Sequence, residues 1–437
     1  MNANTLKQAI ELTVIAYLAL AALTGTLTIA VTATKLRRVW AGRAHTLKYR
    51  DVLRGDTVGI TILLPVHNDG DAAIRAVEHF TGLAYPRLEL ILINDGSSDR
   101  TMNLLRTGLD LKEESYASTG RIRTQDLLGV YRSGLWPNLR VVDKLHGGRA
   151  DALNAGLNLA THPLICLVGV KTRLTAATLL IAADRFASEP ELAALSAALT
   201  PRVERNLFGS LQLQLHARAV ASKTFQGKMH AFTRVDDGFT VVRRQGAENV
   251  GGFESDSNYA ADLVVRLQLR ARRRDTPIAV RFHPDPAGET DAPASLRELC
   301  MAWSEEQRGL SRIVTLERLT RLRPRHGRFA WLTLPWLAFE ALTPVLESLA
   351  AVALLVSAIA GVVSWAVVAL AFAVIAAIGS LHNLLLLQVD AAAARRDDPG
   401  DRSRQLAAAV LANLGLRQLE TLTRAWAALA TPRRTHA

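Results

Sequence analysis

The sequence predicts an α/β fold, a mostly parallel sheet with helices on both faces, joined to about three transmembrane helices. Three observations predict it. Short β-rich runs each end in turn chemistry and lead into a helical pattern; long charge-free stretches stand near both ends; and 49% of the 437 residues are hydrophobic, enough for membrane segments beside a soluble core. A chain of this length holds more than one architectural part.

The strands come first. Ile60 to Leu64 and Leu88 to Ile93 are runs of β-formers, followed by Pro65-Val66-His67-Asn68 and by Asn94-Asp95-Gly96-Ser97, and helical patterns follow both. Leu139 to Val142 and Leu164 to Val168 read as further strands, with the amphipathic Ala150 to Ala160 between them. Repeated in this way, strand, helix and strand make parallel pairing, and ligands of such sheets sit beyond the carboxyl ends of the strands. Asp95, Asp151 and Lys171 all fall there, which points to a nucleotide site.

The membrane segments are read from charge. Leu12 to Thr34 carries none, a length that at about 1.5 Å per residue crosses a hydrocarbon core of about 30 Å. Lys35-Leu36-Arg37-Arg38 closes it, so it reads as an uncleaved anchor with its carboxyl side in the cytoplasm. Ser348 to Leu381 is also uncharged and too long for one span. It divides most simply into helices from about Val345 to Val363 and from about Trp365 to Val389, entered by an interfacial helix over Phe329 to Leu346 that carries Glu340. Asp390 to Arg404, charged and holding Pro399-Gly400, reads as a linker. Gln405 to Ala430 sets leucine and alanine against arginine at helical spacing, an amphipathic helix for the membrane surface or for the soluble domain. The expected parts are an anchor over 1–38, a cytoplasmic α/β domain over 39–328, interfacial and membrane helices over 329–390, the linker over 391–404 and the amphipathic helix over 405–437. The expected location is therefore the cytoplasmic membrane, crossed several times.

The net charge of +12 agrees with that assignment, because Lys35, Arg37, Arg38, Arg321, Arg323, Arg325 and Arg328 flank apolar segments as juxtamembrane cations do. No aromatic residues interleave with them as a base-stacking platform requires, which argues against nucleic acid. Cys166 and Cys300 are the only cysteines and imply neither a disulfide framework nor a zinc site.

Several strings carry a resemblance. They are Ile60 to Asn68, Tyr85-Pro86, Ile93 to Asp99, His146 to Gly156, Val250-Gly251-Gly252-Phe253, Leu263 to Leu267, Ala292-Pro293 with Leu296-Arg297, Arg308-Gly309-Leu310 and Asn413 to Leu419. In this order they resemble the signatures of family-2 glycosyltransferases, and the last of them resembles the membrane branch of cellulose, chitin, hyaluronan and poly-N-acetylglucosamine synthases. The resemblance covers nearly the whole chain. It implies a GT-A, Rossmann-like fold that binds a UDP- or GDP-linked sugar and inverts its anomeric centre onto an acceptor hydroxyl. A metal held by carboxylates, a carboxylate base and an acceptor motif would serve that reaction.

Against that family pattern the chain departs at each catalytic requirement. Gly169 and Lys171 stand at the two acidic positions of the metal motif, so no cofactor is expected and divalent metal binding is expected to be lost; Lys171 reads as a phosphate contact or a solvated surface residue. Ala260 stands where the base belongs. Asp262 follows at a later acidic position, as a base reached by a one-residue slip or as a carboxylate capping the helix of Arg266. In the acceptor motif Ala302, Glu305 and Glu306 replace glutamine, arginine and tryptophan, with Trp303 read as a packing aromatic. The nucleotide half is kept by resemblance: Pro65, Asn68, Asp95 and Asp151 remain, the aspartates at positions that contact base and ribose, and Arg149 replaces a lysine with its charge preserved. Pro65 and Asn68 also have an ordinary reading as turn builders.

The expectation is a catalytically degenerate glycosyltransferase-like membrane protein, a scaffold, regulator or nucleotide-sugar sensor for polysaccharide synthesis, with an active glycosyltransferase or export subunit as partner. The alternative is an active, metal-independent inverting transferase in which Lys171 offsets diphosphate charge and Asp236, Asp237 or Asp262 acts as base.

Overall fold

A computed structural model describes residues 57–116, 120–228, 235, 237–314, 334–394 and 399–430. The expected anchor over Leu12 to Thr34, the basic run Arg321 to Arg328 and Asp236 lie outside the described residues.

Strands β1 (Ile60–Val66) and β2 (Leu88–Asp95) alternate with helices α1 (Gly70–Thr81) and α2 (Thr101–Gly108). Then come β3 (Leu111–Glu113), β4 (Leu127–Ser133), β5 (Leu139–Lys144), α3 (Arg149–Leu159), β6 (Leu164–Val168) and β7 (Thr172–Leu174). The domain continues through α4 (Ala176–Ser188), β8 (Leu192–Arg202), α5 (Leu207–Lys228), β9 (Phe239–Arg243), α6 (Arg244–Asn249), α7 (Tyr259–Arg273), β10 (Ala279–Asp291) and α8 (Leu296–Ile313). All the strands join one ten-stranded sheet in the order β3-β4-β5-β2-β1-β6-β9-β8-β10-β7. Its centre, β5-β2-β1-β6, is parallel as the strand and helix repeats require. The flanks add antiparallel partners, β4 on β5 and β9 between β6 and β8, so the whole is a mixed α/β sheet on the expected GT-A plan.

Burial on both faces explains why the central strands are almost continuously apolar. Alternation sends Ile60, Ile62 and Leu64 into the core under α1 and α4, and Leu63 with Ile91 and Ile93 into the core under α3 and α7. Each such side chain, fully buried, contributes about 1.5–3 kcal/mol. Gly156 lets α3 lie close on the sheet: a Cβ there would stand 2.9 Å from Leu63 and 3.0 Å from Ile93. That close approach sets the amino end of α3 against the carboxyl ends of β2 and β5. Cys166 is fully buried, and burial pushes its thiol well up, out of the reactive range.

Beyond the sheet domain, α9 (Leu334–Ile359) and α10 (Trp365–Ala394) are long and apolar enough to cross a membrane. Little of either is covered; Leu349, Ile359, Leu370 and Leu381 are all exposed. One boundary differs from expectation. From Leu334 on, the expected interfacial helix and the first expected span are a single helix, because Pro344 is accommodated inside α9 and the chain first breaks at Gly361, whose φ of 71° is left-handed. The second helix begins at Trp365 as expected.

The expected linker is also largely helical. Helix α10 runs to Ala394, and α11 (Pro399–Leu411) starts at the very proline taken as a breaker, since proline suits the first turn of a helix. The amphipathic segment is two helices rather than one, α11 and α12 (Arg417–Leu429), separated by a turn in which Gly415 has a φ of 119°. Helix α12 packs on α8 and α9, with Arg424 bonded to Glu306 at 2.7 Å, while Leu422, Trp426 and Leu429 stay exposed. The helix thus docks on one face and turns an apolar face outward.

A buried arginine ties these layers together. Arg218 on α5 donates to Asn383 on α10 (2.5 Å) and to Asn413 in the turn after α11 (2.8 Å), and both asparagines also donate to the carbonyl of Ala409. Burial, with Arg417 close by, pulls its guanidinium down to about 10. Arg218→Met leaves both amides without their donor, so a loss of about 2 kcal/mol is expected, read as faster hydrogen exchange confined to α11 and α12.

Candidate functional site

Three loops converge at the carboxyl ends of the parallel strands. The first follows β1, where Asn68 adopts a left-handed φ of 53°. Its amide oxygen accepts from the Ser98 N–H and its own N–H donates to Ser97 Oγ, each at 2.9 Å. Asn68 thus pins the β1 loop to the β2 loop, and Pro65 lies in β1 paired with Ile93, so both are turn and strand builders here. The second loop opens with Asp95, the last residue of β2.

The third runs from Lys144 into α3. Parallel register sets Lys144 beside Asp95. The lysine is fully buried and its Nζ bonds Asp95 Oδ1 at 2.8 Å and Asp151 Oδ2 at 2.6 Å, and donates to the Leu145 carbonyl. Gly147 and Gly148 turn their N–H groups onto the two Asp95 oxygens at 3.0 and 2.9 Å, a backbone nest whose anion is this carboxylate. Gly148 has a φ of 91°, and a Cβ on it would stand 2.8 Å from Asp256, whose carboxylate accepts the Ala150 N–H at the start of α3. Asp151 also accepts from the Gln125 N–H. Arg149 is exposed beside this cluster. The expected nucleotide residues Asp95 and Asp151 are therefore brought together, but on a buried lysine that the motif reading did not include. Only the register of β2 on β5 reveals it.

Two histidines complete the rim. His67 Nδ1 lies 2.8 Å and His146 Nδ1 3.1 Å from the carbonyl oxygen of Asp95, their rings 4.6 Å apart.

The metal-motif positions lie elsewhere. Gly169 turns β6 into β7, its carbonyl accepting from Thr172. Lys171 is exposed and lines a cleft of about 310 Å³ between α1 and the β6–β7 turn, with Asp69, Arg75, Arg173, Arg202 and Asp291. Cations outnumber acids on its walls, so these residues do not fit a divalent ion held by carboxylates. None of the Lys144 cluster lines that cleft.

A second cleft, of about 150 Å³, stands where the acceptor motif was expected and is lined by Asp237, Gly238, Asn258, Ala261, Glu306 and Leu337. Ala260 is fully buried, and its N–H donates to Asp237 Oδ1 at 2.9 Å, so Asp237 serves the amino end of α7. Asp262 does not cap that helix as expected. It forms an ion pair one turn on, accepting from Arg266 Nε at 2.8 Å, while the same guanidinium donates to the carbonyls of Val250 and Gly252. Trp303 is buried as a packing residue, Ala302 and Glu305 are exposed, and Glu306 is bonded by Arg424. Sequence spacing carried no sign of that last pair, since its partners are 118 residues apart.

No protein-family model matches the chain. Curated relatives include the poly-β-1,6-N-acetyl-D-glucosamine synthase of Staphylococcus aureus strain MSSA476, 25% identical over 229 residues, which are 52% of this chain and 49% of that protein. The synthase of Staphylococcus epidermidis strain RP62A is 23% identical over 213 residues, 48% of this chain and 45% of its own. The chain spans about half the length of the curated relatives it matches. Among solved structures, a mannosyltransferase of Pyrobaculum calidifontis in complex with GDP-Man and Mn²⁺ aligns over 90% of this chain and 99% of its own, at 17% identity and a TM-score of 0.49. TarS 1–349 of S. aureus in complex with UDP-GlcNAc aligns over 82% and 92%, at 11% identity and a TM-score of 0.43. By its ordered motifs, its sheet and these curated relatives, the chain is similar to the family-2, GT-A glycosyltransferases and resembles the poly-N-acetylglucosamine synthases among them.

Proposed function

We propose that this chain is a membrane-anchored, glycosyltransferase-like protein that no longer transfers sugar. It serves polysaccharide synthesis as a scaffold, regulator or nucleotide-sugar sensor beside an active synthase or export subunit. Its sheet domain faces the cytoplasm, between an anchor over 1–38 and the spans α9 and α10. The ligand class is a UDP- or GDP-sugar, with N-acetylglucosamine favoured because the matched relatives polymerise it.

The observation that carries this reading is the state of the acids. Ala260 stands at the base position, and three described acids of that region are committed: Asp262 to Arg266, Asp237 to the amino end of α7, Glu306 to Arg424. Loss of a general base alone costs a transferase about 10²–10⁴ in rate, and the cationic walls around Lys171 do not suit a metal held by carboxylates. One observation favours the metal-independent alternative: Asp237 lines the acceptor-side cleft, where a base would have to stand.

A single assay separates the two. Full-length protein in detergent is given UDP- and GDP-sugars with and without Mg²⁺ or Mn²⁺, and release of free nucleotide diphosphate is followed. Release no faster than in Asp95→Ala is expected. Donor-dependent release above that control would establish a working transferase.

A further inference from the structure

We propose that His67, Asp95 and His146 form a site for one transition-metal dication of the zinc class, distinct in place and chemistry from the lost carboxylate metal motif. One ring nitrogen of each histidine and a carboxylate oxygen of Asp95 lie within 4.8 Å of one another. Nitrogen and oxygen ligands at about 2.0–2.2 Å from a tetrahedral zinc stand roughly 3.3–3.6 Å apart, so a small rotation of the imidazoles closes the set. Such rotation is open to them. His67 is exposed, and the His146 side chain is 60% accessible.

Asp95, by contrast, is held. Lys144 and the N–H groups of Gly147 and Gly148 fix its carboxylate, the supporting shell that orients a metal-binding acid. Charge points the same way: Asp95 and Asp151 share the single ammonium of Lys144, which leaves one negative charge beneath the two rings. Imidazole and carboxylate donors together suit zinc, nickel or cobalt, whereas magnesium and calcium prefer a cage of oxygens. Three protein ligands also leave a coordination position open at an exposed rim, where a water or an anionic oxygen of a ligand fits. The elements differ as well, since this set stands on the loops after β1, β2 and β5, and Gly169 and Lys171 on the turn after β6.

The test uses full-length protein without a histidine tag, stripped by chelator and titrated calorimetrically with ZnCl₂ alone, with MgCl₂ as the hard-ion control. One saturable zinc site per chain is expected, with no heat from magnesium. His67→Ala and His146→Ala should each weaken it by at least about 10-fold, the loss that even outer partners of a metal cause, and the double variant should abolish it. Because both rings are exposed, the variants should melt like the parent in the absence of zinc; on adding zinc the parent should gain most stability, the single variants less and the double variant none. No saturable binding, or binding unchanged in the double variant, overturns the site. No nucleotide is present, so failure here leaves the loss-of-transfer reading standing, and nucleotide release in the donor assay would defeat that reading without touching this one.

Discussion

Lys144→Met is expected to lower the unfolding free energy by about 3–5 kcal/mol, the cost of stripping a buried ion network of its buried ammonium. The lysine has no exposed side chain, and Asp95 keeps only 5% of its own, so neither charge is relieved by water when the partner goes. The Gly147 and Gly148 N–H groups still solvate Asp95, which keeps the loss from running higher. Asp151, at 19%, recovers some solvent. Combining Lys144→Met with Asp95→Asn and Asp151→Asn removes the charges together, and most of the stability should return, as it does when buried ionic groups are replaced in concert. Denaturant midpoints of the single and triple variants in one detergent read the difference. A single variant within about 1 kcal/mol of the parent would mean that the bridge is as solvated as a surface pair.

That lysine also marks where the sequence stops being legible. Elements whose pattern is local were readable: Leu139 to Val142 and Leu164 to Val168 are strands at the expected residues, and Ala150 to Ala160 is a helix to within one residue. Tight turns were readable for the same reason, because Asn68 and Gly96 announce a backbone that few other residues accept. What was not legible depends on register or on distant packing. Lys144 meets Asp95 only because β5 lies parallel to β2 in one register, and Arg218 meets Asn383 and Asn413 only after α5, α10 and α11 pack. Pro399 misled, since it begins a helix where a break was expected. His67 and His146, 79 residues apart, belong to strings that were read for their fold and not for their side chains.

Arg266→Met is expected to cost a further comparable amount, about 3–5 kcal/mol, and the reason bears on catalysis as much as on stability. Asp262 and Arg266 are one turn apart on α7, with side chains 3% and 12% exposed, and the guanidinium also holds the carbonyls of Val250 and Gly252. It therefore fixes the Val250-Gly251-Gly252-Phe253 turn against the helix, and Asn154 clamps the same turn from the other side through Phe253. The acceptor-side cleft is lined by Ala261 and Val265, which share a face of α7; Asp262 and Arg266 lie on the next face round and do not line it. On the proposed placement of an acceptor in that cleft, a base must reach its hydroxyl, and this carboxylate is turned away from it. In a double-mutant cycle of Asp262→Asn and Arg266→Met, a coupling of about 1–3 kcal/mol is expected between the two residues. Asp262→Asn alone should leave nucleotide release at the level of the Asp95→Ala control. A fall in release on Asp262→Asn, from a parent rate above that control, would instead make Asp262 the proton acceptor and restore this chain to the working transferases.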